Sequence, residues 1–358
     1  MSALVLVLGF FALLILRCVL VARFALRGFH YERSLSQKTA TEGDRITFTE
    51  VIRNNKPLFL PWVRIESNIS PYLHFSTDED LDIRFDRYHK SVFTLPAFSQ
   101  VTRRHPVKLL RRGHYKLENV TVNCGDLLGV SPTESQFPAP AELHVYPRLV
   151  PEDPFFTSQR YQGEQSVRRF IIDDPFLING IRAYRAGDPI RDIHWAATAR
   201  THELQVKTHD FTADPKLMVI LNTQRREDQW GELMDYEQDR IEHGIRIMAT
   251  ICMKALKMGA EAGFAANMPM EGKEGSAFVA PIGGAGAEDM LLSAMSLLQI
   301  KRTKRFPSFL EEMDKLTGLD IILLSCYDRA DIQAHMAALR RAGNQVQLML
   351  LEGGDAAC

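Results

Sequence analysis

A surplus of positive charge is what this sequence most plainly lacks. Its 358 residues carry 43 lysines and arginines against 44 aspartates and glutamates, a formal net charge of −1. A dedicated nucleic-acid binder needs a cationic excess to neutralise phosphates, so that class is set aside and no nucleic-acid partner is expected. Cysteine is scarce as well. The five residues Cys18, Cys124, Cys252, Cys326 and Cys358 are odd in number and include no Cys-x-x-Cys pair. Such a set argues against a disulfide framework and against a thiolate metal site, and reads as thiols in a reducing compartment. There is no Gly-x-x-x-x-Gly-Lys-Ser/Thr run and no Gly-x-Gly-x-x-Gly run, so no phosphate- or dinucleotide-binding loop is signalled and no cofactor is expected. Internal repeats and low-complexity tracts are also missing.

What is present is an ordinary globular balance, 46% hydrophobic and 24% charged, over a length that suggests two or three domains. The first of these segments is apolar. From Ala3 to Ala22 only Arg17 is charged, and about 20 apolar residues suffice to cross a bilayer core. Arg23, Arg27 and Arg33 follow the run and nothing basic precedes it. Residues 1–26 are therefore expected to be a single-pass anchor in the cell membrane, with the bulk of the chain cytoplasmic.

Residues 34–150 read as an antiparallel β-sandwich. In "DRITFTEVIRN", Ile46, Phe48, Glu50 and Ile52 alternate with Thr47, Thr49 and Val51, the period-2 pattern of a strand with one buried face. Further short strands follow, separated by Gly, Pro, Asn and Asp. Residues 151–215 read as a connector that starts within the proline-rich run "PRLVPEDPFF" and holds the segment discussed next. Residues 216–358 change pattern. "KLMVIL" and "DIILLS" are continuous apolar runs of buried-strand type. Between them Ile241, Ile245, Met248, Cys252 and Leu256 fall on one helical face. Strands alternating with amphipathic helices predict a mostly parallel, doubly wound α/β domain. The fold class expected for the whole chain is α+β: a transmembrane helix, a β-sandwich, then this α/β domain.

The densest chemistry lies in "YRAGDPIRDIHWAATAR". Asp188-Pro189 is a good helix start, since Asp caps free N–H groups and Pro suits the first turn. A helix from there would align Arg191, His194, Trp195 and Thr198 on one face. Three readings stay open. His194 with Asp188 or Asp192 could serve a hydrolase. Arg185, Arg191 and Arg200 could clamp an anionic ligand. Or the segment could be a structural polar knot, with His194 and Trp195 buried between modules.

The same stretch resembles the signature of the bacterial family called domain of unknown function 58, R-x-Y-x-x-G-D-x-x-R-x-I-H-W-x-x-x-A-R. Arg182, Tyr184, Gly187, Asp188, Arg191, Ile193, His194, Trp195, Ala199 and Arg200 fill its places. "RRGHYKLENVTVNCGDLLGV", with Leu127 where Pro is usual, and "ELHVYPR" resemble two further segments of that family. The resemblance implies a von Willebrand factor type A-like C-terminal domain and a MoxR-type AAA ATPase as partner. It further implies a membrane-anchored, non-enzymatic interaction or adaptor role in assembling or maturing a protein complex. Type A domains often hold Mg²⁺ through a D-x-S-x-S run after the first strand. Here the matching places read Asn222, Gln224 and Arg226, so no metal is expected.

Overall fold

The computed structural model describes residues 7–11, 15–16, 23–75, 88–125, 133–151, 178–184, 193–209, 216–226 and 233–351. They divide into two compact units, Met1–Arg148 with Met295–Leu297, and Leu149–Ala294 with Leu298–Cys358.

The first unit holds nine strands: β1 (Phe29–Leu35), β2 (Thr39–Thr41), β3 (Arg45–Asn54), β4 (Leu60–Asn68), β5 (Leu73–Phe75), β6 (Tyr88–Leu95), β7 (Ser99–Leu109), β8 (Gly113–Gly125) and β9 (Thr133–Tyr146). They form two sheets, β1-β3-β7-β5 and β2-β9-β8-β4-β6. All pairings are antiparallel except β2 with β9. The inward row of β3 is the one its alternation predicts, with Ile46, Phe48, Glu50 and Ile52 buried.

That row explains how the sandwich core is organised. Ile46 and Phe48 join one apolar cluster with Val107, Leu117 and Leu143. Ile52 joins a second with Phe29, Leu60, Val63 and Val122. Between them in the row stands Glu50, fully buried. A buried carboxylate is tolerable only when its oxygens are paired. The Tyr31 hydroxyl donates to Glu50 Oε1 at 2.7 Å, and His105 Nε2 and Ser91 Oγ lie 3.2 and 3.4 Å from Oε2. Arg33 completes the layer, donating from Nε to the Ala139 carbonyl at 2.5 Å and from Nη1 to Ser67 Oγ at 3.3 Å. Burial, with Glu50 adjacent, pushes the Tyr31 hydroxyl well above the usual phenol range, and burial pulls the Arg33 guanidinium down.

The second unit holds β10 (Ile178–Ala183), α1 (Trp195–Thr201), β11 (Gln205–His209), β12 (Lys216–Leu221), α2 (Asp235–Lys257), β13 (Glu261–Ala266), β14 (Ala277–Ile282), α3 (Ala287–Ser296), α4 (Phe306–Met313), β15 (Asp320–Ser325), α5 (Ala330–Arg341) and β16 (Gln345–Leu350). Strands β10 and β11 pair by themselves, and β12 to β16 make one sheet in the order β14-β13-β12-β15-β16, parallel but for the β14 edge. One sheet face packs Met218, Ile220, Ile321 and Leu323 against Phe306, Phe309 and Leu310 of α4 and Ile332, Met336 and Leu339 of α5. Ile241, Ile245, Met248 and Cys252 of α2 are buried, while Leu256 is half-buried. Full burial holds the Cys252 thiol up at about 12.

The expected class led by a membrane-spanning helix is corrected. The described residues are strand-rich, 43% strand against 26% helix. Among the described residues no helix is long and apolar enough to cross a membrane. The end of the segment has protein for a neighbour: Ala25 is 1% exposed and, with Leu26, packs on the sandwich core. The single-pass membrane placement falls with it. Residues 1–6, 12–14 and 17–22, and residues 152–177 of the connector, lie outside the described residues.

Replacing Glu50 by Ala leaves Tyr31, His105 and Ser91 without their shared acceptor. The expected loss is about 3–5 kcal/mol of stability, read as a lower urea midpoint. Glu50→Gln, which keeps one acceptor oxygen, should lose less.

Candidate functional site

The motif segment folds as a hairpin with a helix set into its return. β10 pairs antiparallel with β11, bringing Arg182 opposite Val206. The ladder continues past the strand, with Tyr184 N–H donating to the Leu204 carbonyl at 2.8 Å. Ile193 then bridges to Val206, and His194 N–H donates to the Gln205 carbonyl at 2.8 Å. Ile193 and Val206 are both buried.

This bridge limits the helix that follows it. Asp188-Pro189 lies outside the described residues, and α1 begins at Trp195. The reason is tertiary: burial of Ile193 against Val206 holds residue 193 in an extended pairing, which is incompatible with a helix running through it. His194 becomes the N-cap, and its Nδ1 accepts from the Ala197 N–H at 3.0 Å. An accepting Nδ1 places the proton of the neutral ring on Nε2. At the other end His202 takes φ 59°, and its N–H returns to the Thr198 carbonyl. Thr198 Oγ1 accepts from Gln205 N–H at 3.0 Å, tying the helix to β11.

The expected ridge is therefore not built on one helix. Trp195 and Thr198 lie on α1 and His194 caps it, while Arg182 sits on β10 and Arg200 is exposed in the last turn of α1. Trp195 is 65% exposed. Gly187, Asp188 and Arg191, and with them Arg185 and Asp192, lie outside the described residues.

A second polar cluster lies in the same unit, where the central strands end. In an open sheet of this order, the carboxyl ends of β12 and β15 flank the point at which the chain reverses direction of winding, the usual place for a crevice. Here the residues at that point bond one another. Asn222 Nδ2 donates to Ser325 Oγ at 3.1 Å, and Asn222 Oδ1 accepts from Gln224 N–H at 2.9 Å. Asn267 Oδ1, just past β13, accepts both the N–H and the hydroxyl of Thr223 at 2.8 and 2.9 Å. Gln224 Oε1 accepts the Phe306 N–H at 2.5 Å, which caps the start of α4. All five polar side chains are at most 2% exposed.

Arginines surround this cluster. Arg240 donates from Nη2 to the Thr223 carbonyl at 3.1 Å and from Nη1 to Cys326 Sγ at 3.0 Å. Arg302 meets Glu237 at 2.9 Å in a buried pair. Burial pushes the Cys326 thiol up, and the charge and hydrogen bond of Arg240 and the charge of Arg225 oppose that. Mg²⁺ wants an array of hard, largely anionic oxygens. The three matching places supply two amides whose oxygens already accept backbone N–H groups and an exposed arginine, Arg226. This donor set does not fit such a cation.

Sequence reasoning flagged Asn222 and Gln224 but missed Asn267, Ser325, Arg240 and the Glu237–Arg302 pair. The available signal was positional. Each of the runs "KLMVIL", "GFAA" and "IILL" is followed at once by Asn or Ser, a polar residue at the carboxyl end of a buried strand.

Fold and site together define a strand-rich protein of two units, the second an α/β sheet whose strand ends close on a neutral polar network. Residues 180–307, which include the motif segment, match the family model described as "Protein of unknown function DUF58". The type A label and the ATPase association rest on the resemblance alone. No curated protein matches the chain. Solved structures similar to it include the CARDB domain of a Pyrococcus furiosus protein (9% identity, 33% of this chain, 93% of that one, TM-score 0.22). A PapD-like domain of human CEP192 (9%, 32%, 84%, 0.21) and a non-cellulosomal cohesin from Archaeoglobus fulgidus (10%, 30%, 90%, 0.21) are others. Likenesses this slight say nothing about function.

Two changes separate scaffold from surface. His194→Ala removes the cap of α1 and is expected to cost about 1 kcal/mol, with His194→Asn recovering most of it; Trp195→Ala should stay within about 0.5 kcal/mol of the parent. Thermal melts of the three variants check this. At the strand ends, Asn267→Ala orphans the N–H and hydroxyl of Thr223 and is expected to cost about 1–3 kcal/mol for each buried group left unpaired, measured by urea unfolding.

Proposed function

We propose that the protein is a non-enzymatic interaction protein, that it works with a MoxR-type AAA ATPase in the assembly or maturation of a protein complex, and that the outer face of α1 is the part a partner grips. The observation that carries this reading is the pairing of a committed His194 with an exposed Trp195. The histidine that a hydrolase would need spends its Nδ1 on a helix cap. The tryptophan beside it, 65% exposed, stands on a helix tied at both ends. Tryptophan is the residue type most often found at the energetic centre of an interface, because it buries a large rigid surface at small entropic cost. Arg200, exposed on the last turn of the same helix, adds a planar charged donor for the partner's carboxylates. The ATPase as partner comes from the family resemblance.

The test is a pull-down of the full chain and of its Trp195→Ala variant from the lysate of the cell that makes it, with ATP present and bound proteins identified by mass spectrometry. An AAA ATPase recovered with the parent, and at least tenfold less with the variant, is the expected result. Equal recovery by both, or no ATPase with either, would return the segment to the hydrolase or anion-clamp readings.

A further inference from the structure

The five-stranded sheet of the second unit has two edges, and they are treated differently. The β14 edge is guarded. It carries Pro281, which has no N–H to offer, and its pairing with β13 is broken by an irregularity between Ala262 and Phe264. Gly263 sits at that point because a Cβ there would meet Pro281 N and Val279 O at 2.6 Å. Proline and bulges are two of the devices by which a sheet edge is kept from recruiting another strand.

The β16 edge has neither. Gln345–Leu350 is six residues in unbroken parallel register with β15, without proline, glycine or charge. Its outward groups follow from the ladder. Gln345 N–H donates to Leu319 and Leu351 N–H to Ser325, so the odd-numbered residues face β15. The backbone groups of Val346, Leu348 and Leu350 therefore point away from the sheet. One of them, the Val346 carbonyl, accepts Arg340 Nη2 at 2.8 Å. Among the described residues no strand pairs with this side.

We infer that β16 is a homodimer interface: two copies of this chain pair antiparallel through it and join their five-stranded sheets into one. A second copy suits this edge better than a foreign peptide for two reasons. The row is self-complementary, since a two-fold axis beside Leu348 sets Leu348 against its own copy and Val346 against Leu350, the Val346 carbonyl taking the incoming N–H on the lone pair that Arg340 does not use. The side chains of the strand carry no charge, so the paired strands set no like charges of their own against each other.

The test is light scattering on the full chain together with amide hydrogen exchange at two protein concentrations. The expected result is twice the 40.6 kDa chain mass, with the Val346, Leu348 and Leu350 amides protected more at the higher concentration. Leu350→Pro should give the single-chain mass and lose that protection while melting as the parent does. Its side chain is 39% exposed and its N–H faces outward, so proline breaks no bond within the sheet. Should it fail to fold, Leu350→Lys puts a charge on the same edge. A single-chain mass at every concentration overturns the inference. So does a dimer that the folded variants leave intact, or protection of these amides that does not depend on concentration.

Discussion

Three buried strands that stop side by side leave their last backbone groups without water, and the hydrogen bonds among Asn222, Thr223, Asn267 and Ser325 are what make that ending tolerable. An unpaired polar group at such depth costs more than a paired one returns. The amides meet the need because each offers a donor and an acceptor on one short side chain. Asn222 reaches β15 with its nitrogen and its own loop with its oxygen. Gln224 carries the same logic one step outward, into the start of α4. A carboxylate set at these places would instead have required a counter-charge to hold it.

The sandwich of the first unit meets a similar difficulty differently. Its inward row on β3, which ends in the buried Asn54, would run apolar from Ile46 to Ile52 but for Glu50. Accepting from Tyr31 and held by His105, this residue forces the neighbouring strands into one register, because a slip by a single position would carry the carboxylate to the other face. A paired ion of this kind adds little net stability over an apolar replacement of the same shape. Its effect is on which arrangement forms, and the two apolar clusters on either side supply the cohesion.

Much of this was legible in the sequence wherever one element decides its own state. Alternation placed Ile46, Phe48, Glu50 and Ile52 on one face, and the continuous runs at 216–221 and 320–325 marked buried parallel strands. The pattern failed where a distant residue overrides a local signal. A helix running through Ile193 is ruled out because Val206 claims that residue for a bridge, and α1 begins at Trp195. The apolar stretch before residue 26 satisfied a hydropathy window, which cannot register that Ala25 lies against a protein core. The strand-end cluster escaped for a related reason: its members are 44, 82 and 103 positions apart, and only the winding of the sheet brings them together.

One contact near the beginning of the chain bears on how it can be handled. Lys56 is 9% exposed and its ammonium donates to the backbone carbonyls of Ala25 and Arg27, while Asn55 N–H reaches the Gly28 carbonyl at 3.0 Å. The residues just before β1 thus serve as the lid over a buried cation. A recombinant fragment trimmed to begin at residue 34, a natural cut for anyone discarding the apolar leader, would lose Phe29 and Tyr31 from the core and leave Lys56 with its charge stranded. Cloning boundaries for the first unit belong before residue 25.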